Sequence, residues 1–178
     1  MLKMLGQLHG VAWTIVVPRN VFGPRQSLED LYRNFMALSM NRIMRGEPII
    51  IYGKNHVRSF SYIEDSLPAF LRASDVNTGN GEIINIGGLE PVTIMEAAQE
   101  IISNFSEYNP KPIVELPPRY GEVEVAYCSS DKSVMMLDYA ESIGWKKGIA
   151  KMAEWAKKQG AMEFKPYYLP LLNESAPL

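Results

Sequence analysis

Seven consecutive residues, Val11-Ala-Trp-Thr-Ile-Val-Val17, are apolar or β-branched before Pro18 interrupts them. Such a run is the pattern of a β-strand buried on both faces, as in a parallel sheet covered by helices on each side. Parallel strands need crossover connections, most often helices, and the rest of the chain reads that way. From Leu28 to Arg45 the residues Leu31, Phe35, Leu38, Ile43 and Met44 recur near helical spacing, and Gly46 stops that helix before a short strand at Pro48–Tyr52. Asp65–Ala73 reads as a second helix. Glu82–Ile86 is a strand entered through the turn cluster Asn77–Gly81 and closed by Gly87-Gly88.

Thr93-Ile-Met-Glu96 has the form of a capping box, so a helix starts there and runs to about Phe105, burying Ile94, Ala97, Ala98 and Ile101. Ile113–Leu116 is a short strand between prolines, and Asp131–Leu137 and Gly148–Gln159 are the last two helices. Alternating strands and helices imply an α/β fold. One long, doubly apolar strand cannot close a sheet by itself, so its faces and edges require neighbours that these elements do not supply.

Two motifs follow strands. Pro18-Arg-Asn20-Val-Phe-Gly-Pro-Arg-Gln26 succeeds the apolar run, and Arg58-Ser-Phe60-Ser-Tyr62-Ile-Glu-Asp65 succeeds a Gly53-Lys-Asn55 turn. In order and spacing they resemble the nucleotide-sugar-binding half of the extended short-chain dehydrogenases, the NAD-dependent sugar epimerases and dehydratases such as UDP-glucose 4-epimerase. The resemblance covers residues 1–160, and 161–178 form a tail of no legible role. It implies the C-terminal portion of a Rossmann-type fold with a small mixed substrate-binding domain. Relatives carry Tyr-x-x-x-Lys and a glycine-rich dinucleotide loop; neither pattern occurs in these 178 residues. NAD is therefore the cofactor implied by the family, and no residue here is assigned to it or to catalysis.

The resemblance also implies site residues. Asn20 offers its amide to the diphosphate or sugar, Arg58 pairs with the diphosphate, and Arg119 pairs with it from the other side. Glu122 receives a ribose hydroxyl, and Asn34 contacts the diphosphate from its helix. The residue types suit the ligand, since guanidinium forks match phosphate oxygens and an ionised carboxylate only accepts. Each has a plainer role beside it: Asn20 as a turn residue in front of Gly23-Pro24, Arg58 as a surface partner of Glu64 or Asp65, and Asn34 as a solvated helix residue. Arg19 and Arg25 read as surface charges, and Cys128, Tyr127 and Trp145 as core. Relatives have Gly-x-Gly-x-Gln-x-Arg where this chain has Gly53-Lys-Asn-His-Val-Arg58, one residue shorter and without the second glycine and the glutamine.

A chain of 178 residues, 47% apolar and 21% charged, can bury one core, and its formal charge of −2 argues against a nucleic-acid partner. Aromatic and basic residues do not alternate as in a base-stacking platform. No run approaches the ~18 apolar residues of a membrane span, and one cysteine fits a reducing compartment, so the expected location is cytoplasmic. His9 and His56 lack companions at metal-ligand spacing, hence no metal is expected. The expected function is the binding portion, for a UDP-hexose, of an epimerase or dehydratase that is inactive alone and completed by a separate chain or a longer polypeptide. A homo-oligomer, a non-catalytic binding module and a non-functional remnant stand as alternatives.

Overall fold

The computed structural model describes residues 1–31 and 35–165. Helix α1 (Leu2–His9) leads into β1 (Thr14–Pro18) and β2 (Val21–Phe22), followed by α2 (Phe35–Met44). Next come β3 (Ile50–Tyr52), β4 (Val57–Arg58), β5 (Ser61–Tyr62), α3 (Ile63–Ala73) and the single turn α4 (Val76–Gly79). Strands β6 (Glu82–Ile86) and β7 (Val92–Thr93) precede α5 (Ile94–Ser103), and β8 (Val114–Leu116) and β9 (Val125–Ala126) precede α6 (Asp131–Leu137) and α7 (Gly144–Gln159). The α/β class expected from the sequence is the one observed.

The sheets are small. β1 pairs in parallel with β6 in the register Thr14↔Glu82 to Pro18↔Ile86. β2 pairs in parallel with β5, and β3 with β8. β4 lies between β7, antiparallel, and β9, parallel, so this part of the fold is mixed.

Helices α2, α5 and α7 enclose the main core, in which Met36, Met40, Ile101, Ile149 and Met152 are fully buried beside Phe22 and Tyr62. The Thr93–Glu96 capping box is present in both directions: Glu96 N–H donates to Thr93 Oγ1 at 3.1 Å and Thr93 N–H to Glu96 Oε2 at 2.8 Å. These bonds satisfy donors that a helix start leaves free. A second, smaller cluster gathers Ala69 and Ala73 of α3, Ile84 and Ile86 of β6, and Leu137 and Tyr139 at the end of α6.

Several expectations need correction. The apolar run forms a strand only from Thr14, and β1 is half-buried rather than buried on both faces, because β6 is its partner and nothing described here covers its outer side. Its partner alternates accordingly, with Ile84 and Ile86 buried and Ile83 exposed. The second helix does not begin at Leu28: residues 28–31 form bends and a turn, with Asp30 bridged to Lys165 and Leu28 O accepting Asn41 Nδ2 at 2.8 Å. The Asn77–Gly81 turn cluster overlaps the one-turn helix α4, capped by Asp75 through Asn77 N–H. Helix α7 starts one turn early, at Gly144, because Asp65 of α3 accepts the N–H groups of Ile143 and Gly144 at 3.0 and 2.9 Å. Among the described residues no helix is long and apolar enough to cross a membrane.

Candidate functional site

Parallel pairing of β3 with β8 sets Tyr52 opposite Leu116, which delivers the segment after β8 to the end of β3. That segment turns at Arg119–Glu122, where Glu122 N–H donates to Arg119 O at 3.1 Å and Gly121 adopts φ 77°. A turn with a left-handed residue in its third position takes glycine at little steric cost. The turn projects Arg119 back over Tyr52, its guanidinium carbon 3.9 Å from the ring centroid. A cation stacked on an aromatic face is held in place while its N–H groups stay free for an anion.

The same turn carries Glu122 to Arg58. Arg58 sits in β4, the middle strand of the mixed sheet, and its Nη2 lies 3.4 Å from Glu122 Oε1. Nη1 of the same guanidinium donates to Val57 O at 2.9 Å and Glu124 O at 3.2 Å. The Arg58 side chain is mostly buried and that of Glu122 is 30% exposed, so the pair is partly open to solvent; the candidate groove is the surface around this pair and the Arg119–Tyr52 stack. Arg58 does not pair with Glu64 or Asp65: Glu64 binds Lys151 and the Tyr62 hydroxyl, and Asp65 caps α7. Lys151 Nζ and the Tyr62 O–H, both donating to Glu64, hold its carboxyl below the usual carboxylate range. Burial and the Glu64 charge push the Tyr62 phenol up to about 12.

Asn20 reaches the groove from the end of β1. Its Nδ2 donates to Ser59 O at 3.0 Å, tying the loop after β1 to the residue following Arg58. Asn20 has φ 37°, a conformation asparagine tolerates better than most residues. It therefore satisfies a backbone carbonyl, but across 39 residues rather than in the Gly23-Pro24 turn. Arg19 and Arg25 are exposed, as expected of surface charges. Asn34 lies outside the described residues.

Of the expected core residues, Trp145 is buried, Cys128 is partly buried, and Tyr127 is 44% exposed with its hydroxyl donating to Leu89 O. Tyr127 is thus corrected from core to surface, since β9 is a two-residue edge strand with its outer face open.

One residue of this groove had no role in the sequence reading. His56 is 4% exposed, and its Nδ1 is 4.0 Å from Glu122 Oε2. The available signal was positional: His56 precedes Arg58 by two residues, the place held by glutamine in the Gly-x-Gly-x-Gln-x-Arg pattern.

A surface depression of about 490 Å³ runs along α1, lined by Met1, Met4, Leu5, Gln7 and Leu8. No lysine, arginine or histidine side chain lines it. No cluster of three or more potential metal ligands occurs among the described residues.

β5 runs into α3 with no glycine between them, and the backbone of Gly87 after β6 is closed off by Ser130, whose Oγ accepts from Gly87 N–H at 3.2 Å and donates to Gly87 O at 2.9 Å. A pyrophosphate needs free N–H groups at a glycine turn opening a helix.

Comparison with known proteins bears on the fold. Residues 1–87 match the NAD dependent epimerase/dehydratase family. The chain is 27% identical over 163 residues to a UDP-N-acetyl-alpha-D-glucosaminuronate decarboxylase of Bacillus cytotoxicus, covering 85% of this chain and 48% of the relative. It is 28% identical over 152 residues to the dTDP-D-glucose 4,6-dehydratase of Bos taurus, covering 81% and 41%. Among solved structures, UDP-glucose 4-epimerase of Thermotoga maritima with UDP-glucose superposes with a TM-score of 0.79 at 27% identity, over 89% of this chain and 50% of that one. The chain spans about half the length of these proteins. The chain is thus similar to the NAD-dependent epimerase/dehydratase family in its N-terminal part and has the fold of about half of such a protein over most of its residues.

Proposed function

We propose that residues 1–160 form the nucleoside-diphosphate-sugar-binding portion of an NAD-dependent sugar epimerase or dehydratase. The observation that carries this reading is the convergence of Arg58 and Glu122, 64 residues apart, to 3.4 Å at a partly open surface. Arg119 is stacked on Tyr52 beside them, and Asn20 is anchored to the adjacent Ser59. Two guanidinium groups with a carboxylate between their segments suit a ligand joining a diphosphate to a hydroxylated ribose. A UDP-hexose is the substrate assigned.

In the family reaction NAD takes a hydride from the sugar and returns it. This chain's own share is to bind: Arg58 and Arg119 hold the phosphates, Glu122 accepts from the ribose, and Asn20 orients the sugar end. NAD and the proton-transferring tyrosine are assigned to residues outside this set, in the same polypeptide or a separate chain. Two features support a further packing element: β1 has its second edge open, and α1 exposes Met1, Met4 and Leu8. Without it the chain is expected to be inactive, in a soluble, non-membrane setting.

The test is calorimetric titration of the folded chain with UDP-glucose, with and without NAD, and a TDP-sugar for comparison. Saturable UDP-sugar binding indifferent to NAD is expected; a folded chain that binds neither sugar nucleotide overturns the reading. Arg58→Ala should weaken binding by roughly 1.5–3 kcal/mol, about ten- to a hundredfold. Unchanged affinity with an intact fold would remove Arg58 from the site. Epimerase turnover by the chain with added NAD alone would overturn the assignment of catalysis elsewhere.

A further inference from the structure

His56 is held in one position by the backbone on both sides of its ring. Its N–H donates to Gly53 O at 2.8 Å, and its carbonyl accepts Ile94 N–H at 2.9 Å, at the start of the capped helix α5. Gly53 makes room for the imidazole, since a Cβ at that position would fall 2.5 to 2.7 Å from three of its atoms. The ring is buried, yet Nδ1 has no hydrogen-bond partner. Unpartnered polar atoms are costly to bury, so one fixed in place and aimed at a site points to a partner in another state. The nearest acidic group is Glu122, whose Oε2 is 4.0 Å away while its Oε1 faces Arg58.

We infer that His56 is a positioning residue that takes over Glu122 when ligand engages Arg58. Glu122 occupies the outer nitrogen of Arg58, whose Nη1 is already committed to two carbonyls. A diphosphate seeking that guanidinium competes with Glu122 for Nη2. The displaced carboxylate then closes on His56, whose Nδ1–H donates to Oε2, and stays fixed to accept a ribose hydroxyl. Arg58 and His56 thus hand one carboxylate between them, coupling phosphate binding to ribose recognition. The inference rests on the nucleoside-diphosphate reading of the groove.

The test uses the full chain with UDP and, separately, inorganic pyrophosphate as probes, against His56→Phe and His56→Asn. Phenylalanine keeps a ring of similar size and removes the nitrogen; asparagine can set an amide nitrogen where Nδ1 stood. UDP affinity should fall about tenfold in His56→Phe, the worth of one hydrogen bond to a charged group. It should return to within about threefold of the parent in His56→Asn, with pyrophosphate affinity following the same order. In the parent chain, nitrogen-15 imidazole spectra should show Nδ1 of His56 become a hydrogen-bonded donor on saturation with either UDP or pyrophosphate. A folded His56→Phe chain that binds UDP like the parent overturns the role of His56 and leaves the groove assignment standing. If His56→Phe does not fold, an Nδ1 signal unmoved by UDP does the same. Failure of the folded parent to bind either probe overturns both readings.

Discussion

The core between α2, α5 and α7 and the helix α1 are both rich in apolar residues and end in opposite states. In the first, Met36, Met40, Ile149 and Met152 are fully buried. In the second, Met1 is 95% exposed and Leu8 76%, and Gly6, packed against the Trp13 ring, is the buried residue of α1. Hydrophobicity sets what a segment can gain by burial, and neighbours decide whether it gains it. The core has helices on several sides; β1 has one strand. The candidate groove belongs to the enclosed region: β3, β4 and the α5 cap that fix Arg58, His56 and Tyr52 lean on the main core. The loop after β1 contributes Asn20.

Substitutions can break this comparison. Ile149→Ala, at a fully buried site, should cost about 2–5 kcal/mol in urea unfolding; a loss near zero would mean that the core is not closed. Asp65→Ala tests the seam, because this buried carboxylate on α3 accepts both N–H groups at the start of α7. A loss of about 1–3 kcal/mol is expected, and no change would mean that the two clusters are stabilised separately. Thr93→Ala removes one side of the capping box and should cost about 1 kcal/mol, measurable by the same unfolding curve.

Glu141 sharpens the comparison through pH. Burial, with the charges of Asp65 and Glu90, holds its carboxyl above the usual range against a Leu89 N–H that lowers it. A raised pKa means that the folded chain binds the proton more tightly than the unfolded chain. The associated stability is fully present below the ordinary glutamate range and is lost as pH rises through the folded value. Glu141→Gln should therefore stabilise the chain near neutral pH and give no gain in acid, read from melting temperature against pH. An equal gain at all pH values would remove titration as the cause. Smallest of all, Leu8→Ser should change stability by less than about 0.5 kcal/mol, as for an exposed site. A loss above about 2 kcal/mol would show α1 to be packed as firmly as the core.

Much of the fold was legible because its signals are local. The Thr93–Glu96 box, Glu82–Ile86 and Asp131–Leu137 are each specified within a turn or two by capping chemistry or side-chain period. The two-residue strands β2, β4, β5, β7 and β9 escaped, since a two-residue strand has no period to read and exists only through its partner. The groove divides the same way. The motifs around Asn20 and Arg58 stood out as strings, whereas nothing in the neighbourhood of His56 announced its approach to Glu122.

By itself, then, the sequence determined the α/β alternation, the Thr93–Glu96 helix cap and the residue types a diphosphate and a ribose require. Only the tertiary structure decided that β1 is half-buried, that Asp65 starts α7, and that Arg58, His56 and Glu122 share one groove. The physical reason is range: capping and periodicity act over a few residues along the chain. Burial and charge pairing act over a few ångströms in space, between groups that the chain separates by 64 residues or more.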